Sequence, residues 1–323
     1  MGKGKKTMKL SNEEIKKLVV GAVDHWIDEA GLHFTKYTPQ QLTAWEQAAP
    51  SLVDNLKATT GIRLDFHTDA AAVIFEMTGG RNFEVKVDGM LTHQFKTDGE
   101  AEGGVFMVNL GKPGEMKHVV FSFPSHGKPG ILRSVCVEDG AKVFPHSFDK
   151  KLLFLGDSIT QGWESTFDLQ SYAYRVSEEM NAESVIYGIG GAFFEPKVPC
   201  SMPYDPDVVF VAYGTNDYNN FKTLAEIKSR ATAYLQRVKE RYQDAQIYVI
   251  TPTWRTDYDT PKESGYFQEC CDSIGEIAKS LGLTVIDGMA LVPHCAEFLS
   301  DYVHPNLSGH EMYAQNLLKH IKE

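Results

Sequence analysis

Three side chains in the second half of the sequence have the types needed for nucleophilic acyl chemistry. Ser158 lies in Gly156-Asp-Ser-Ile-Thr160, and Asp301 and His304 lie three residues apart in Asp301-Tyr-Val-His-Pro305. A serine hydroxyl is a poor nucleophile by itself and needs an adjacent base. A histidine can remove the serine proton and return it to a departing alcohol, while an aspartate fixes the imidazole tautomer and stabilises the imidazolium. We therefore predict Ser158 as nucleophile, His304 as base and Asp301 as its partner.

The elements that must position these residues are short apolar runs that alternate with helical stretches. The runs are Lys151–Leu155, Ser184–Tyr187, Asp207–Tyr213, Gln246–Ile250 and Leu283–Ile286, and Leu224 to Tyr242 has helical spacing. This order predicts a parallel sheet covered on both faces. Ligands bind beyond the carboxyl ends of such strands, so the residues that follow each run should converge on one edge.

The residues that follow the runs are rich in glycine and small polar side chains. They are Gly156–Thr160, Gly188-Ile-Gly190-Gly191, Gly214-Thr-Asn-Asp217 and Thr251-Pro-Thr-Trp-Arg255. The three glycines of the second group suggest a dinucleotide loop, but that motif needs another glycine at position 193, which is Phe193. A dinucleotide site is therefore excluded.

The region from residue 61 to 137 has the pattern of an all-β domain. Apolar residues alternate in Gly61–His67, Phe83–Val87, Gly104–Leu110, His118–Phe123 and Ile131–Val137, and glycine- and proline-containing turns separate these segments. Such a series predicts a β-sandwich or jelly roll. We place the domains at 1–148 and 149–323. Within residues 11–58, Glu13 to Val23 has helical spacing, whereas Leu42 to Leu56 fits either a helix or an irregular connection.

Taken together, the blocks at the strand ends resemble those of the SGNH (GDSL-type) esterase superfamily, over roughly residues 151–323. The matching residues are Gly156–Thr160, Gly191, Gly214–Asp217 and Asp301-X-X-His304-Pro305. One departure is Ile186, which stands where the second block usually has asparagine. The resemblance implies an SGNH (flavodoxin-like) three-layer α/β domain. The preceding β-domain resembles the arrangement of two-domain carbohydrate acetylesterases.

The resemblance also implies an oxyanion hole, made by the backbone N–H groups of Ser158 and Gly191 and the side-chain amide of Asn216. Charge gathers on the carbonyl oxygen as it becomes tetrahedral, and each donor to it contributes on the order of 10²–10³ in rate. Glycine suits position 191 because a backbone without Cβ can approach the substrate closely. We expect Asp157 and Asp217 to fix loops by accepting hydrogen bonds, and His310 to have no catalytic role.

Aromatic residues near the strand ends could form a platform for sugar rings. We select Trp163, Trp254 and Tyr218 as candidate substrate contacts, while noting that aromatic residues more often serve in packing.

Net charge, apolar run length and cysteine content limit the classes of binding partner and the location that we expect. The net charge of −11 argues against nucleic-acid binding, and no apolar run approaches the length of a membrane span. Five cysteines, an odd number with two adjacent, fit reduced thiols, and the N-terminal lysines precede no apolar signal region, so we expect a cytoplasmic location. We expect no metal and no cofactor, and the sequence does not address oligomeric state.

These observations predict a serine esterase that hydrolyses small acyl esters of carbohydrates, O-acetyl esters above all, through an acyl-enzyme intermediate. The expected partner is a small-molecule or oligosaccharide ester. One alternative is a short-chain lipid ester or thioester hydrolase. Another is a carbohydrate-binding protein with a vestigial esterase site. The sequence does not identify the sugar, the acyl position or whether the β-domain binds carbohydrate.

Overall fold

The computed structural model describes residues 6–97, 103–198 and 203–321, which divide into two compact units. The first unit comprises the described residues of Met1–Lys36 and Lys57–Phe148, and the second those of Tyr37–Leu56 and Asp149–Glu323. The sequence prediction assigned the segment Tyr37–Leu56 to the N-terminal domain, so the structure differs there. The physical reason is the burial of Trp45, whose indole N–H donates to the Tyr187 hydroxyl at 3.2 Å.

The described residues of the first unit form antiparallel strands and one short helix. The strands are β1 (Thr7–Lys9), β2 (Val19–Val20), β3 (Asp24–Asp28), β4 (Gly31–Thr35), β5 (Arg63–Thr68), β6 (Ala72–Gly79), β7 (Asn82–Val87), β8 (Met90–Lys96), β9 (Gly104–Asn109), β10 (Lys117–Ser122), β11 (Gly130–Glu138) and β12 (Val143–Pro145). Helix α1 (Asn12–Leu18) begins with a capping box between Ser11 and Glu14, which satisfies two amide groups that the helix leaves open.

These strands form two six-stranded sheets. One has the order β3-β4-β11-β6-β9 with β1 beside β11, and the other has the order β12-β5-β10-β7-β8 with β2 beside β5. Alternate residues of both sheets share one apolar core, in which the rings of Phe75 and Phe121 stack at 4.0 Å between centroids. The predicted β-sandwich is confirmed.

The second unit holds the remaining elements. They are α2 (Pro39–Ala48), α3 (Val53–Lys57, whose last residue belongs to the first unit), β13 (Lys150–Gly156), α4 (Ser158–Gln161), α5 (Tyr172–Glu179), β14 (Ala182–Gly188), β15 (Val208–Ala212), α6 (Thr215–Asn220), α7 (Leu224–Arg241), β16 (Gln246–Ile250), α8 (Phe267–Ser280), β17 (Thr284–Ile286) and α9 (Leu307–Ile321), with 3₁₀ turns at Pro50–Leu52, Asp168–Gln170, Gly288–Ala290 and Ala296–Phe298.

Its five strands form a parallel sheet in the order β14-β13-β15-β16-β17. Because parallel crossovers are right-handed and the strand order reverses after β14, the helices that follow cover opposite faces of the sheet. Helix α5 packs against α9, and α7 packs against α8. The predicted three-layer α/β fold is confirmed.

Two segments were not resolved by the sequence pattern. Leu42 to Leu56 contains α2, a 3₁₀ turn and α3. The stretch around Trp26, for which we predicted no element, is the β3–β4 hairpin. Strand β3 is exposed on both sides and so lacks apolar alternation. No helix of the described residues has the length and apolar character needed to cross a bilayer.

Candidate active site

The loops that carry the predicted site residues leave the same edge of the parallel sheet. Gly156, the last residue of β13, pairs with Gly188 of β14 on one side and with Ala212 of β15 on the other. The chain leaves β13 toward β14 and then returns to its other side for β15, so this edge is a topological switch point. Such a point opens a crevice between the loops of neighbouring strands.

Ser158 begins a sharp turn from strand to helix. Asp157 caps α4, and its carboxylate accepts a hydrogen bond from the N–H of Ile159 at 3.0 Å. The helix ends after one turn at Gly162, whose φ is +88°. A Cβ at Gly156 would collide with the Thr160 side chain, so glycine is required where the helix folds back on the strand.

Ser158, His304 and Asp301 form one chain of hydrogen bonds. The Ser158 Oγ lies 2.8 Å from His304 Nε2, and His304 Nδ1 lies 2.7 Å from Asp301 Oδ2. Because a carboxylate only accepts hydrogen bonds, the Nδ1 of His304 carries a proton. In the neutral ring, Nε2 then has the lone pair and can accept the serine proton. The structure thus brings together the three side chains that were predicted to act as a triad.

Asp301 is held by its own loop. Its Oδ1 accepts from the backbone N–H groups of Val303 and His304, both at 2.8 Å. Partial burial raises the pKa of Asp301, whereas the hydrogen bonds from the His304 ring and from the two backbone N–H groups lower it. The second effect is larger, so the pKa of Asp301 lies below its ordinary value. The carboxylate is therefore ionised at neutral pH.

Gly191 lies in the loop after β14 and Asn216 in the first turn of α6, and hydrogen bonds connect that loop with both α4 and α6. The N–H of Gly190 donates to the side-chain oxygen of Gln161 at 2.6 Å. The Asn216 amide donates one N–H to the Ala192 carbonyl at 2.9 Å, which leaves its second N–H for another acceptor. Gly191 has a φ of +85°, a region that glycine adopts easily.

Two further carboxylates are buried in these loops. Burial raises the pKa of Asp157 to about 6 and that of Asp217 to about 7. Asp217 accepts from the N–H of Phe194 at 3.1 Å and so joins the loop after β14 to α6. Both aspartates fix backbone, in agreement with the sequence interpretation.

The three aromatic candidates differ in accessibility. The Trp163 ring lies 6.1 Å from the His304 ring and is half-buried. Trp254 is 7% exposed and stacks on His294 at 5.5 Å, so little of its surface is available to a ligand. Tyr218 is 1% exposed, and the single hydrogen of its hydroxyl is shared between the carbonyls of two loop residues, at O···O distances of 3.0 and 3.1 Å. The structure therefore corrects the expectation for Tyr218, whose burial makes it a packing residue.

Two buried residues support the loops of the site, and the sequence did not predict this role for either of them. His310 is fully buried, and it contacts the Trp163 carbonyl at 3.1 Å and the N–H of Tyr172 at 3.3 Å, so it supports the loop that carries Trp163. Arg255 is also buried and forms an ion pair with Asp257. Its guanidinium lies 5.2 Å from the ring centre of Tyr302, next to the Asp301 position. Sequence could have indicated Arg255 only by its place at a strand end.

In the first unit, one group of side chains has the composition of a metal site. One ring nitrogen each from His67, His118 and His146 lies within 4.8 Å of the others. From the sequence we expected no metal. The alternation of apolar residues in β5 and β10 could have indicated this cluster, because it places His67 and His118 on the face opposite the core.

Comparisons with known proteins agree with this architecture. Residues 154–312 match the model of the GDSL-like Lipase/Acylhydrolase family, and no curated protein matches the chain. Among solved structures, the salicylyl-acyltransferase SsfX3 from a tetracycline biosynthetic pathway superposes with a TM-score of 0.84 at 16% identity, covering 100% of this chain and 98% of that one.

Two carbohydrate esterases are also similar in fold. A family two carbohydrate esterase from Cellvibrio japonicus gives a TM-score of 0.69 at 16% identity and covers 99% of this chain and 97% of its own. An acetyl xylan esterase from the rumen bacterium Butyrivibrio proteoclasticus gives 0.66 at 14% identity, with 98% of each chain covered. These identities establish the fold that the chains share. The family match covers residues 154–312, just under half of the chain, so this part of the second unit is similar to the GDSL-like lipase/acylhydrolase family.

Proposed function

We propose that this protein hydrolyses small acyl esters of carbohydrates, with O-acetyl groups as the preferred substrate, through an acyl-enzyme formed on Ser158. The observation that carries the proposal is the continuous hydrogen-bond chain from Ser158 Oγ through His304 to Asp301. Ser158 follows β13, Asp301 and His304 share the loop before α9, and each has the partner that its role requires.

The reaction follows from these contacts. His304 Nε2 takes the Ser158 proton while Oγ attacks the ester carbonyl, and a tetrahedral intermediate forms. The imidazolium then protonates the departing sugar oxygen, and the acyl group stays on Ser158. Water then gives a proton to His304 while its oxygen attacks the acyl carbon. The bond from the acyl carbon to Ser158 Oγ breaks, His304 returns the proton to Oγ, and the acid is released. Asp301 keeps the ring in one tautomer and stabilises its charge through both steps.

The intermediate carries a negative oxygen that needs donors. The N–H groups of Ser158 and Gly191 and the second amide hydrogen of Asn216 are the donors we assign to it. The hydrogen bonds that tie the two glycine-rich loops to α4 and α6 hold these donors before substrate arrives. Such preorganisation lowers the barrier because the donors need not reorient during the reaction.

The carbohydrate part of the proposal is supported by two features. Trp163, beside His304, offers a half-buried ring against which a sugar can stack. The neighbours in fold include proteins that are described as a family two carbohydrate esterase and an acetyl xylan esterase.

The test compares acyl length and alcohol. We expect the protein to cleave acetyl model esters faster than butyryl or octanoyl esters, and to remove acetyl units from fragments of acetylated mannan, xylan or chitin, followed by mass spectrometry. Ser158→Ala should abolish the activity. Ser280→Ala is the matched control, because that exposed hydroxyl at the end of α8 contacts only the helix carbonyl of Ile277 among the bonds described. Unchanged hydrolysis in Ser158→Ala, or a preference for octanoyl esters, would contradict the proposal.

A second candidate function is transfer of the acyl group from Ser158 to an alcohol instead of to water. The superposition on the salicylyl-acyltransferase over the whole of this chain favours it. Both activities share the acyl-enzyme and differ in the second acceptor. The product ratio distinguishes them: with acetyl donor and a sugar acceptor present, ester product in excess of free acetate indicates a transferase, and acetate alone indicates a hydrolase.

A further inference from the structure

Three histidines of the first unit meet on the outer face of one sheet of the sandwich. His67 of β5 and His118 of β10 are direct partners in the antiparallel register. Phe144 of β12 is the partner of His67 on the other side, and His146 follows two residues later. The backbone N–H of His146 donates to the Asp65 carbonyl at 3.1 Å, which continues the strand pairing up to that residue.

The ring nitrogens are close enough to share one ion. His67 Nε2 lies 2.9 Å from His146 Nδ1, and one nitrogen of each of the three rings falls within 4.8 Å of the others. Nitrogen ligands of a tetrahedral zinc ion are about 3.3 Å apart, given Zn–N bonds of about 2.0–2.1 Å. The rings stack at 4.4–5.1 Å between centroids, and rotation of partly exposed side chains about χ2 can direct their nitrogens to a common point.

A buried carboxylate stands behind the cluster. Asp65 is 4% exposed, and its Oδ1 lies 2.7 Å from His118 Nε2. This contact fixes the His118 proton on Nε2 and leaves Nδ1 with the lone pair that a metal requires. Histidine ligands in proteins commonly donate their other N–H to a carboxylate, which orients the ring and increases its basicity. The second oxygen of Asp65 is held by Arg63 at 3.1 Å.

Aromatic rings flank the group. Phe144 stacks on His67 at 5.4 Å, and Phe148 meets His146 edge-on at 4.8 Å. An apolar border lowers the local dielectric and limits competition from water, while the partial exposure of the three histidines leaves a path for an ion.

We propose that His67, His118 and His146 form a binding site for one divalent transition-metal ion of the zinc type. Neutral imidazole suits zinc, and three histidine ligands leave a fourth position for water or an external ligand. The ion would fasten β12, a three-residue strand at the sheet edge, to β5 and β10. Binding of this ion does not require the Ser158 chemistry.

The test uses the full chain after removal of metal with EDTA. Isothermal titration calorimetry with ZnCl₂ should give one site with a dissociation constant in the micromolar range or tighter. A hundredfold excess of free Zn²⁺ over that constant should raise the thermal midpoint by about 5 °C. His146→Gln and His67→Gln should each weaken binding by at least about 100-fold. His25→Gln, an exposed histidine on β3, is the matched control and should bind like the wild type.

Circular dichroism of the metal-stripped variants establishes that each is folded, and two separate variants keep the test valid if one does not fold. The proposal is overturned if the wild type binds no Zn²⁺. It is equally overturned if the folded cluster variants bind Zn²⁺ as the wild type does, because the ion would then sit elsewhere.

Discussion

Replacing Asp301 by asparagine tests the assignment of the acid to the triad. The amide oxygen can keep the bonds from the N–H groups of Val303 and His304, both 2.8 Å long in the wild type. The amide nitrogen then faces His304 Nδ1, where the carboxylate lay at 2.7 Å. An amide N–H donates, so Nδ1 must accept and the ring proton moves to Nε2. A protonated Nε2 in a neutral ring cannot take the proton of Ser158.

The magnitude follows from the same geometry. In a buried Ser-His-Asp triad the corresponding change lowers kcat by about 10⁴-fold. The Asp301 side chain is 41% exposed, so water can stabilise part of the imidazolium charge and the electrostatic share is smaller. We expect kcat to fall by about 10³-fold. The two backbone bonds change from charge-assisted to neutral, at a cost of about 1 kcal/mol, so the fold survives with a thermal midpoint lower by about 2–4 °C.

The assay is steady-state hydrolysis of p-nitrophenyl acetate together with thermal unfolding followed by circular dichroism. Asp205→Asn is the matched control, because Asp205 is an exposed partner of Arg241 in the same unit and its loss should leave kcat unchanged. If Asp301→Asn retains more than a tenth of the wild-type kcat, the carboxylate does not set the tautomer of His304. The mechanism would then need a different partner for the histidine.

Three further changes address the loops and the packing around the site. Burial raises the pKa of Asp217 from its ordinary 3.8 to about 7, so the folded chain retains a proton that the unfolded chain releases, and this group makes the free energy of unfolding fall as pH rises from 3.8 to 7. Asp217→Asn should remove this pH dependence. Urea unfolding should therefore show that the free energy of unfolding of the variant, relative to the wild type, is higher at pH 8 than at pH 5. The same difference between variant and wild type at both pH values would refute this prediction. Tyr218→Phe removes one hydrogen bond shared between two backbone carbonyls and should cost about 1–3 kcal/mol of stability while kcat and KM stay within about twofold. A selective rise in KM would return Tyr218 to the substrate site. Gly191→Ala places a Cβ at a φ of +85° and 2.8 Å from the Leu52 side chain, so we expect about 1–2 kcal/mol of strain and at least a tenfold loss of kcat as the amide is displaced; wild-type kcat would remove Gly191 from the oxyanion hole.

The active-site edge could be predicted from the sequence because its position depends only on the topology of the parallel sheet. Parallel strands place their carboxyl ends at one edge, so Ser158 and the loops after the next two strands could be grouped without coordinates. The accessibility of a side chain follows no such rule. Tyr218 and Trp163 each follow a strand end, yet one is sealed by loop carbonyls and the other stands beside His304.

In the first unit, too, some features could be predicted from the sequence and others could not. Alternating strands such as β5 and β10 were predicted, since one face of each is buried in the core. Their pairing was not predicted, because register depends on contacts between distant segments. His67 and His118 are 51 positions apart and His146 is 79 positions from His67, so only the strand register brings them to one place.

The contribution of residues 37–56 to the second unit has a consequence for biosynthesis. Asn55 donates to the carbonyl of Gly190, a partner that lies 135 positions later in the chain. At a translation speed of roughly 5–20 residues per second, this segment leaves the ribosome about 7–27 seconds before its partner exists. During that interval Trp45 has no Tyr187 to accept its hydrogen bond, and a polypeptide that starts at residue 149 never supplies the indole. Truncation at the apparent boundary should therefore yield an aggregation-prone fragment, and adding the missing peptide in trans is the direct way to restore it.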